Sequence, residues 1–430
     1  MKRKIIQITQ KPFVQNVIVM VTGTIGAQIV KMTLSPIITR VYGPEAYGVM
    51  GVFISIIQFI IPVAALTYPM AIVLPKNDLN AKGLIKLSLY ISSVLTLIIM
   101  IFLVIFKNII VEYFNIGEAA TYLFLIPIVI IFTTLMQVSE QWYIRTKQFG
   151  INAKVSFYQA VILEFSKVGI GLITPTASVL VGLTAVANGL KALMLILFGR
   201  KSKYKSPNTS SEKRLSLKEI AKRHKDFPLL RAPQAFIDAI TKGLPVLLLM
   251  TFFGPVSSGF YTLCRTVLTL PSSLIGKSVG DVFYPRINGA LIKKEKLSSL
   301  IKKAVFALSG LGIVPFGLLI AFGPWLFGFV FGDSWVTAGE YARWLALSSF
   351  FRFINEPCIR ALPVLSAQSL HLCVTIVQTL IRVASLWFGF FVFNDDKIAI
   401  ALYGISDGLI NFLLIILTLN ISKKIEKNSK

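Results

Sequence analysis

Ten basic residues of this chain sit inside long apolar runs: Lys31, Lys167, Lys191, Arg231, Lys242, Arg265, Lys277, Arg343, Arg352 and Arg382. The same runs hold only six acids: Glu140, Glu164, Asp238, Asp281, Glu356 and Asp407. A cation at the centre of a lipid-facing helix costs about 2.5–3.5 kcal/mol. Ten such costs would exceed the ~5–15 kcal/mol by which proteins are stable. Snorkelling relieves Lys277 and Arg343 near helix ends, and the rest need acids, water or an anion. Spacing offers three ion pairs: Asp238–Lys242 and Arg352–Glu356 at i,i+4, and Glu164–Lys167 at i,i+3. Ten bases against six acids still leave a surplus of positive charge. Arginine presents a bidentate fork to phosphate, and lysine a point charge. The chemistry on offer is anion binding.

These cations share helix faces with other polar residues. Arg231, Gln234, Asp238, Lys242 and Pro245 recur at the 3–4 spacing of one helix side, as do His371, Thr375, Gln378, Arg382 and Ser385. Arg265, Thr269, Ser272 and Gly276 form a third stripe, and Asn16, Gly23, Lys31 and Ser35 a fourth. Polar stripes either glue membrane helices together or line a wet lumen. Four stripes with several cations favour the lumen. The expected ligand-binding residues are Lys31, Arg231, Lys242, Arg265 and Arg382, and Asp238 and Glu164 are the acids placed to couple ion movement. No cofactor or metal is expected. His224 and His371 lack ligand spacing, and Cys264, Cys358 and Cys373 form no CxxC pair. GKS at 276–278 ends like a phosphate loop, but Pro271 stands where its first glycine belongs.

The elements that position these residues follow from hydropathy. The chain has 430 residues, 55% hydrophobic and 15% charged, with a mean hydropathy of +0.74. Runs such as LSLYISSVLTLIIMIFLVIF (87–106) are long enough to cross about 30 Å of hydrocarbon. Twelve spans are predicted: 13–38, 46–73, 84–106, 119–142, 153–174, 176–199, 228–253, 257–282, 300–322, 337–363, 367–393 and 397–421. The first is too long for a signal-peptide core and reads as an uncleaved helix. Of the 44 Lys and Arg, 31 fall in ends and loops on one side and three (Arg40, Lys107 and Lys397) on the other. The positive-inside rule therefore places both termini in the cytoplasm. It also accounts for most of the net charge of +25, so nucleic-acid binding is not inferred.

The chain repeats itself. GPEAYG (43–48) lies between spans 1 and 2, and GPVSSG (254–259) between spans 7 and 8. LPK (74–76) and YPR (284–286) end spans 2 and 8 at nearly the same separation. A third motif, GPWLFG (323–328), has no counterpart after span 3. Between the halves runs a polar, basic stretch, 200–227, which reads as a flexible cytoplasmic linker with a short helix over 215–225. The expected organisation is an N-terminal six-helix lobe (1–199), the linker (200–227) and a C-terminal six-helix lobe (228–430). Six spans per half make the repeat parallel. Lys31 and Lys242 each precede their Gly-Pro turn by twelve residues, about 18 Å of helix, which puts both near mid-bilayer.

At SPIITRVYGPEAYGVMGVF (35–53), YPMAIVLPKND (68–78), DVFYPRI (281–287) and FGDSW (331–335), the sequence resembles the Wzx-type polysaccharide flippases of the multidrug/oligosaccharidyl-lipid/polysaccharide exporter superfamily. The resemblance implies an all-α polytopic protein with two parallel six-helix lobes around a central cationic cavity. It implies a cargo of oligosaccharide on an isoprenoid pyrophosphate, such as an O-antigen or capsule repeat unit, moved by alternating access across the bacterial inner membrane. Expected partners are that lipid-linked oligosaccharide, a coupling ion, membrane lipids, and glycan polymerase and chain-length proteins. The alternatives are another lipid-linked precursor flippase, an ion-coupled small-molecule exporter, and a membrane glycan polymerase or ligase. The last would need a large outer loop with catalytic groups, and the predicted outer loops are short.

Overall fold

The computed structural model describes residues 12–114, 117–200, 215–273, 277–293 and 295–428. Every regular element among them is helical. Hydrocarbon offers no water to an unpaired backbone group, and a helix satisfies its groups internally. The helices are α1 (Pro12–Ala64), α2 (Asp78–Phe114), α3 (Ile126–Arg145), α4 (Phe149–Gly171), α5 (Ala177–Arg200), α6 (Leu217–Arg223), α7 (Ala232–Pro271), α8 (Lys277–Ile292), α9 (Leu297–Phe331), α10 (Val336–Ile354), α11 (Glu356–Ala361), α12 (Gln368–Phe388) and α13 (Asp396–Asn428).

Eight helical stretches among the described residues are long and apolar enough to cross a membrane. Two of them, Thr22–Ala64 and Phe227–Pro271, run 43 and 45 residues, too long for one crossing. Each is two helices joined at a bend, at Gly43 in α1 and at Gly254 in α7. α4 and α10 fall short in hydropathy because they carry charge: Lys154, Glu164 and Lys167 on one, Glu340, Arg343 and Arg352 on the other. With each bent helix counted as two spans and α4 and α10 included, the fold accommodates the twelve predicted spans. The protein is an all-α, multi-pass membrane protein.

Two compact units emerge. One holds the chain to Tyr42 and Val49–Leu247, the other Gly43–Gly48 and Leu248–Lys430. In the first, α3 packs against α2 and α5, and α4 against α5. One end of this unit is tied by polar contacts. Arg145 donates to Asp78 Oδ1 at 2.9 and 3.0 Å and to the carbonyls of Ile72 and Pro75 at 3.2 and 2.5 Å. That arginine is what orders the LPK turn. The short helix expected over 215–225 is α6, at Leu217–Arg223, while residues 201–214 of the predicted linker lie outside the described residues. Ser216 and Glu219 form a capping box on α6. Ile220 is buried against the Tyr68–Ile72 turn and α2. Tyr68 Oη donates to the Ala221 carbonyl at 3.3 Å.

In the second unit, α10 packs between α9 and α13, and α12 against α13. Trp335, Tyr341, Phe316, Phe327 and Phe353 fill its core. The third motif proves to be of another kind. Gly323 and Pro324 lie within continuous α9, and Gly323 meets Gly339 of α10 backbone to backbone. Small residues let membrane helices approach this closely. Large apolar side chains elsewhere face outward, Ile173 81% and Phe306 75% exposed. Such exposure suits lipid.

Candidate functional site

The two Gly-Pro turns meet. Gly43 has φ 70° and ψ 175°, Gly254 φ 84° and ψ −176°. That region of backbone space is nearly closed to residues with a Cβ. The proline then opens the next helix segment, where its missing N–H costs nothing. The second glycine of each motif has a different reason. A Cβ on Gly48 would overlap the Pro255 carbonyl, and a Cβ on Gly259 would overlap the Pro44 carbonyl. The contact is reciprocal and lies within the second unit, to which residues 43–48 belong. Tyr47 packs edge-on to Trp335 beside it, ring centroids 5.2 Å apart. Each copy of the motif is shaped to receive the other.

Away from these turns each unit carries a charged cluster. In the first, Glu140 of α3 pairs with Lys191 of α5 at 2.5 Å, and Glu164 of α4 with Lys167 at 3.0 Å, as the i,i+3 spacing predicts. Glu164, Lys167 and Lys191 are the charges that act on Lys31. Two lysines thus pair with two glutamates, and Glu164 is the acid whose charge reaches Lys31. Tyr42 Oη donates to the Lys167 carbonyl at 2.8 Å, fixing α4 to the end of the first α1 segment.

In the second unit the cluster centres on Asp407 of α13, which is fully buried. Its Oδ1 accepts from Arg382 Nε at 2.7 Å and Gln378 Nε2 at 2.6 Å, and its Oδ2 from Arg352 at 3.0 Å. The Arg382 guanidinium lies 5.7 Å from the Tyr403 ring centre, a cation–π contact. Two arginines share one aspartate. The clusters correspond helix for helix, because Glu140 and Arg352 are 212 residues apart and Lys167 and Gln378 are 211. The Gly-Pro turns are also 211 apart. The signs are exchanged: acid on α3 and base on α5 in one unit, base on α10 and acid on α13 in the other.

The predicted residues therefore divide. Lys31 and Glu164 fall into the first cluster. Arg265 and Arg382 both act electrostatically on Tyr261 in the second unit. Arg231, Asp238 and Lys242 are exposed, Arg231 donating to Gln234 at 3.2 Å. Gly276, the last residue of the third stripe, lies outside the described residues. Two expectations change. The predicted Arg352–Glu356 pair does not form: Glu356 pairs with Arg360 at 3.0 Å, and Arg352 turns to Asp407 instead. The α12 stripe faces α13, through Gln378, Arg382 and the Ser385–Ser406 contact, and Arg382 is buried. Asp407 is absent from the predicted site residues. Its signal in sequence is an acid inside an apolar run with no base one helical turn away.

A family model described as Polysaccharide biosynthesis protein matches residues 37–340. The chain belongs to that family. Among solved structures, an inward-facing multidrug resistance MATE family transporter of the MOP superfamily superposes with a TM-score of 0.75 at 12% identity, covering 95% of this chain and 100% of that one. The lipid II flippase MurJ in an inward closed conformation gives 0.71 at 14%, covering 96% and 90%. An outward-facing MATE family transporter gives 0.59 at 13%, covering 98% and 97%. At these identities the likeness is one of fold. No curated protein matches the sequence at a significant level.

Proposed function

We propose that the protein is a flippase for an isoprenoid-pyrophosphate-linked oligosaccharide, an O-antigen or capsule repeat unit, across the bacterial inner membrane. The observation that carries this reading is a surplus of cations within apolar spans, in a chain of the polysaccharide biosynthesis family. Pyrophosphate is compact and multiply charged, and lysine and arginine are its natural receptors. The Ser, Thr, Asn and Gln residues on the same faces suit sugar hydroxyls. Lys31 and Lys242 are the proposed pyrophosphate pair, with Arg231 and Arg265 in support and Asp238 and Glu164 as coupling acids. The isoprenoid tail stays in lipid while the headgroup crosses. Both termini are cytoplasmic, as the distribution of Lys and Arg favours.

The fold likeness to MATE transporters supports a second reading, an ion-coupled small-molecule exporter. A basic surplus suits a cationic cargo poorly, so under that reading the cargo is anionic. Deletion of the gene separates the two. Spheroplasts lacking the protein should accumulate lipid-linked oligosaccharide inaccessible to externally added lectin, and complementation should restore its exposure. Normal exposure in the deletion strain would refute the flippase reading.

A further inference from the structure

Sequence spacing ties Arg352 to Glu356, but the fold gives Glu356 to Arg360 and leaves Arg352 with a share of Asp407. We propose that Arg352 is an oxyanion receptor of the second unit, binding a phosphate or carboxylate of the transported headgroup. The proposal rests on the reading of the protein as a carrier of an anionic lipid-linked glycan.

Depth is the first argument. Arg352 stands in the last turn of α10, but its guanidinium meets Asp407, which lies eleven residues or about 16 Å into α13, near the middle of a helix that must cross about 30 Å of hydrocarbon. The Arg352 side chain is nevertheless 49% exposed. A guanidinium bared to hydrocarbon at that depth is costly, so its open side meets water or an anion. Charge is the second argument. Asp407 cannot cancel Arg352, because its other oxygen already accepts from Arg382 and Gln378. One carboxylate between two guanidiniums leaves one positive charge, and Arg382 is buried. That charge can be reached only at Arg352. Preorganisation is the third. Asn411 donates to the Asp407 carbonyl at 2.8 Å, and Gln378 and Arg382 hold the carboxylate. Arg352 is thereby held through one hydrogen bond to the carboxylate, out of the five N–H donors that a guanidinium carries. Arg382 is a positioning residue here and does not touch the ligand.

The test uses the full-length chain in lipid nanodiscs, titrated with farnesyl pyrophosphate and, separately, with a glucuronate-containing disaccharide. Arg352→Gln should weaken binding of one probe at least about tenfold, the scale of one charged hydrogen bond. Arg352→Lys keeps the charge but lacks the fork and should weaken the same probe about threefold. Arg382→Gln should weaken it as well, since Asp407 would then neutralise Arg352 alone. The responding probe identifies the group that is read, phosphate or sugar carboxylate. If both Arg352 variants bind both probes as tightly as the wild type, the receptor is refuted. If Lys242→Ala loses the pyrophosphate in that case, the carrier reading still stands. A wild-type protein that binds neither probe overturns both.

Discussion

Lys31 and Lys242 stand twelve residues before two glycines of the same unusual conformation, and both side chains are exposed. Matching register and exposure mark residues suited to a ligand. Lys31→Ala and Lys242→Ala should each lower glycan export several-fold while leaving membrane abundance unchanged, and Arg should replace either better than Gln. Full complementation of a deletion strain by both Ala variants at low expression would remove the lysine pair from the mechanism. Asp238, one turn from Lys242 and also exposed, should behave likewise: Asp238→Asn is expected to impair export at near-normal protein levels. Arg382 belongs to a different class. Removing it leaves the buried Asp407 short of its closest partner, and breaking a buried pair costs about 3–5 kcal/mol. Arg382→Ala should therefore lower the thermal midpoint and the amount of folded protein. Arg360→Ala breaks a pair that is 39% and 25% exposed, and such pairs are worth about 1 kcal/mol or less. Thermal unfolding monitored by size-exclusion chromatography should separate the two; equal losses would contradict the burial argument.

At the scale of elements, the sequence shows the Gly-Pro-x-x-x-Gly motif twice but does not show that the copies touch. A contact between residues 211 apart leaves no local signature, because spacing reports only what one helix does with itself. The same limit explains Arg352. An i,i+4 glutamate is visible in sequence, whereas Asp407 comes from another helix. The repeat is legible because duplication copies spacing. The exchanged charge signs are not, because either polarity satisfies the same helix pair. Three outcomes follow. Gly48→Ala and Gly259→Ala should each force the paired segments apart and destabilise the fold, whereas Gly182→Ala in α5, with nothing near the new methyl group, should be neutral or better. Gly43→Ala and Gly254→Ala should cost about 1–3 kcal/mol through backbone strain alone. If the first unit tolerates either polarity, Glu140→Lys should reduce folded protein and the double variant Glu140→Lys/Lys191→Glu should recover it. Failure of the double variant would show that position, and not pairing, fixes the signs.

For the whole molecule, hydropathy carries the membrane class and the span count, since twenty apolar residues in a row have few other uses. The short helix beyond Leu215 is legible as well, but its docking is not, because its anchor is a single buried side chain, Ile220, within a charged stretch. Orientation rests on a different signal, the 31 basic residues on one side against three on the other. Ammonium and guanidinium groups resist transfer across the membrane, so a bias this large should fix both halves the same way up. A direct check places single cysteines at Ser202 in the linker, at Glu45 in the first Gly-Pro turn and at Asp333 after α9. Glu45 and Asp333 are both exposed. Native Cys264 and Cys358 are buried, but Cys373 is exposed and must be replaced by serine first. In intact spheroplasts a membrane-impermeant maleimide should label the cysteines at 45 and 333, and should reach the one at 202 only after permeabilisation. Labelling at 202 in intact cells would invert the protein, and with it the direction in which its cargo is proposed to move. Labelling at 45 without 333 would break the parallel repeat, because both positions follow an odd-numbered span and must emerge on the same face.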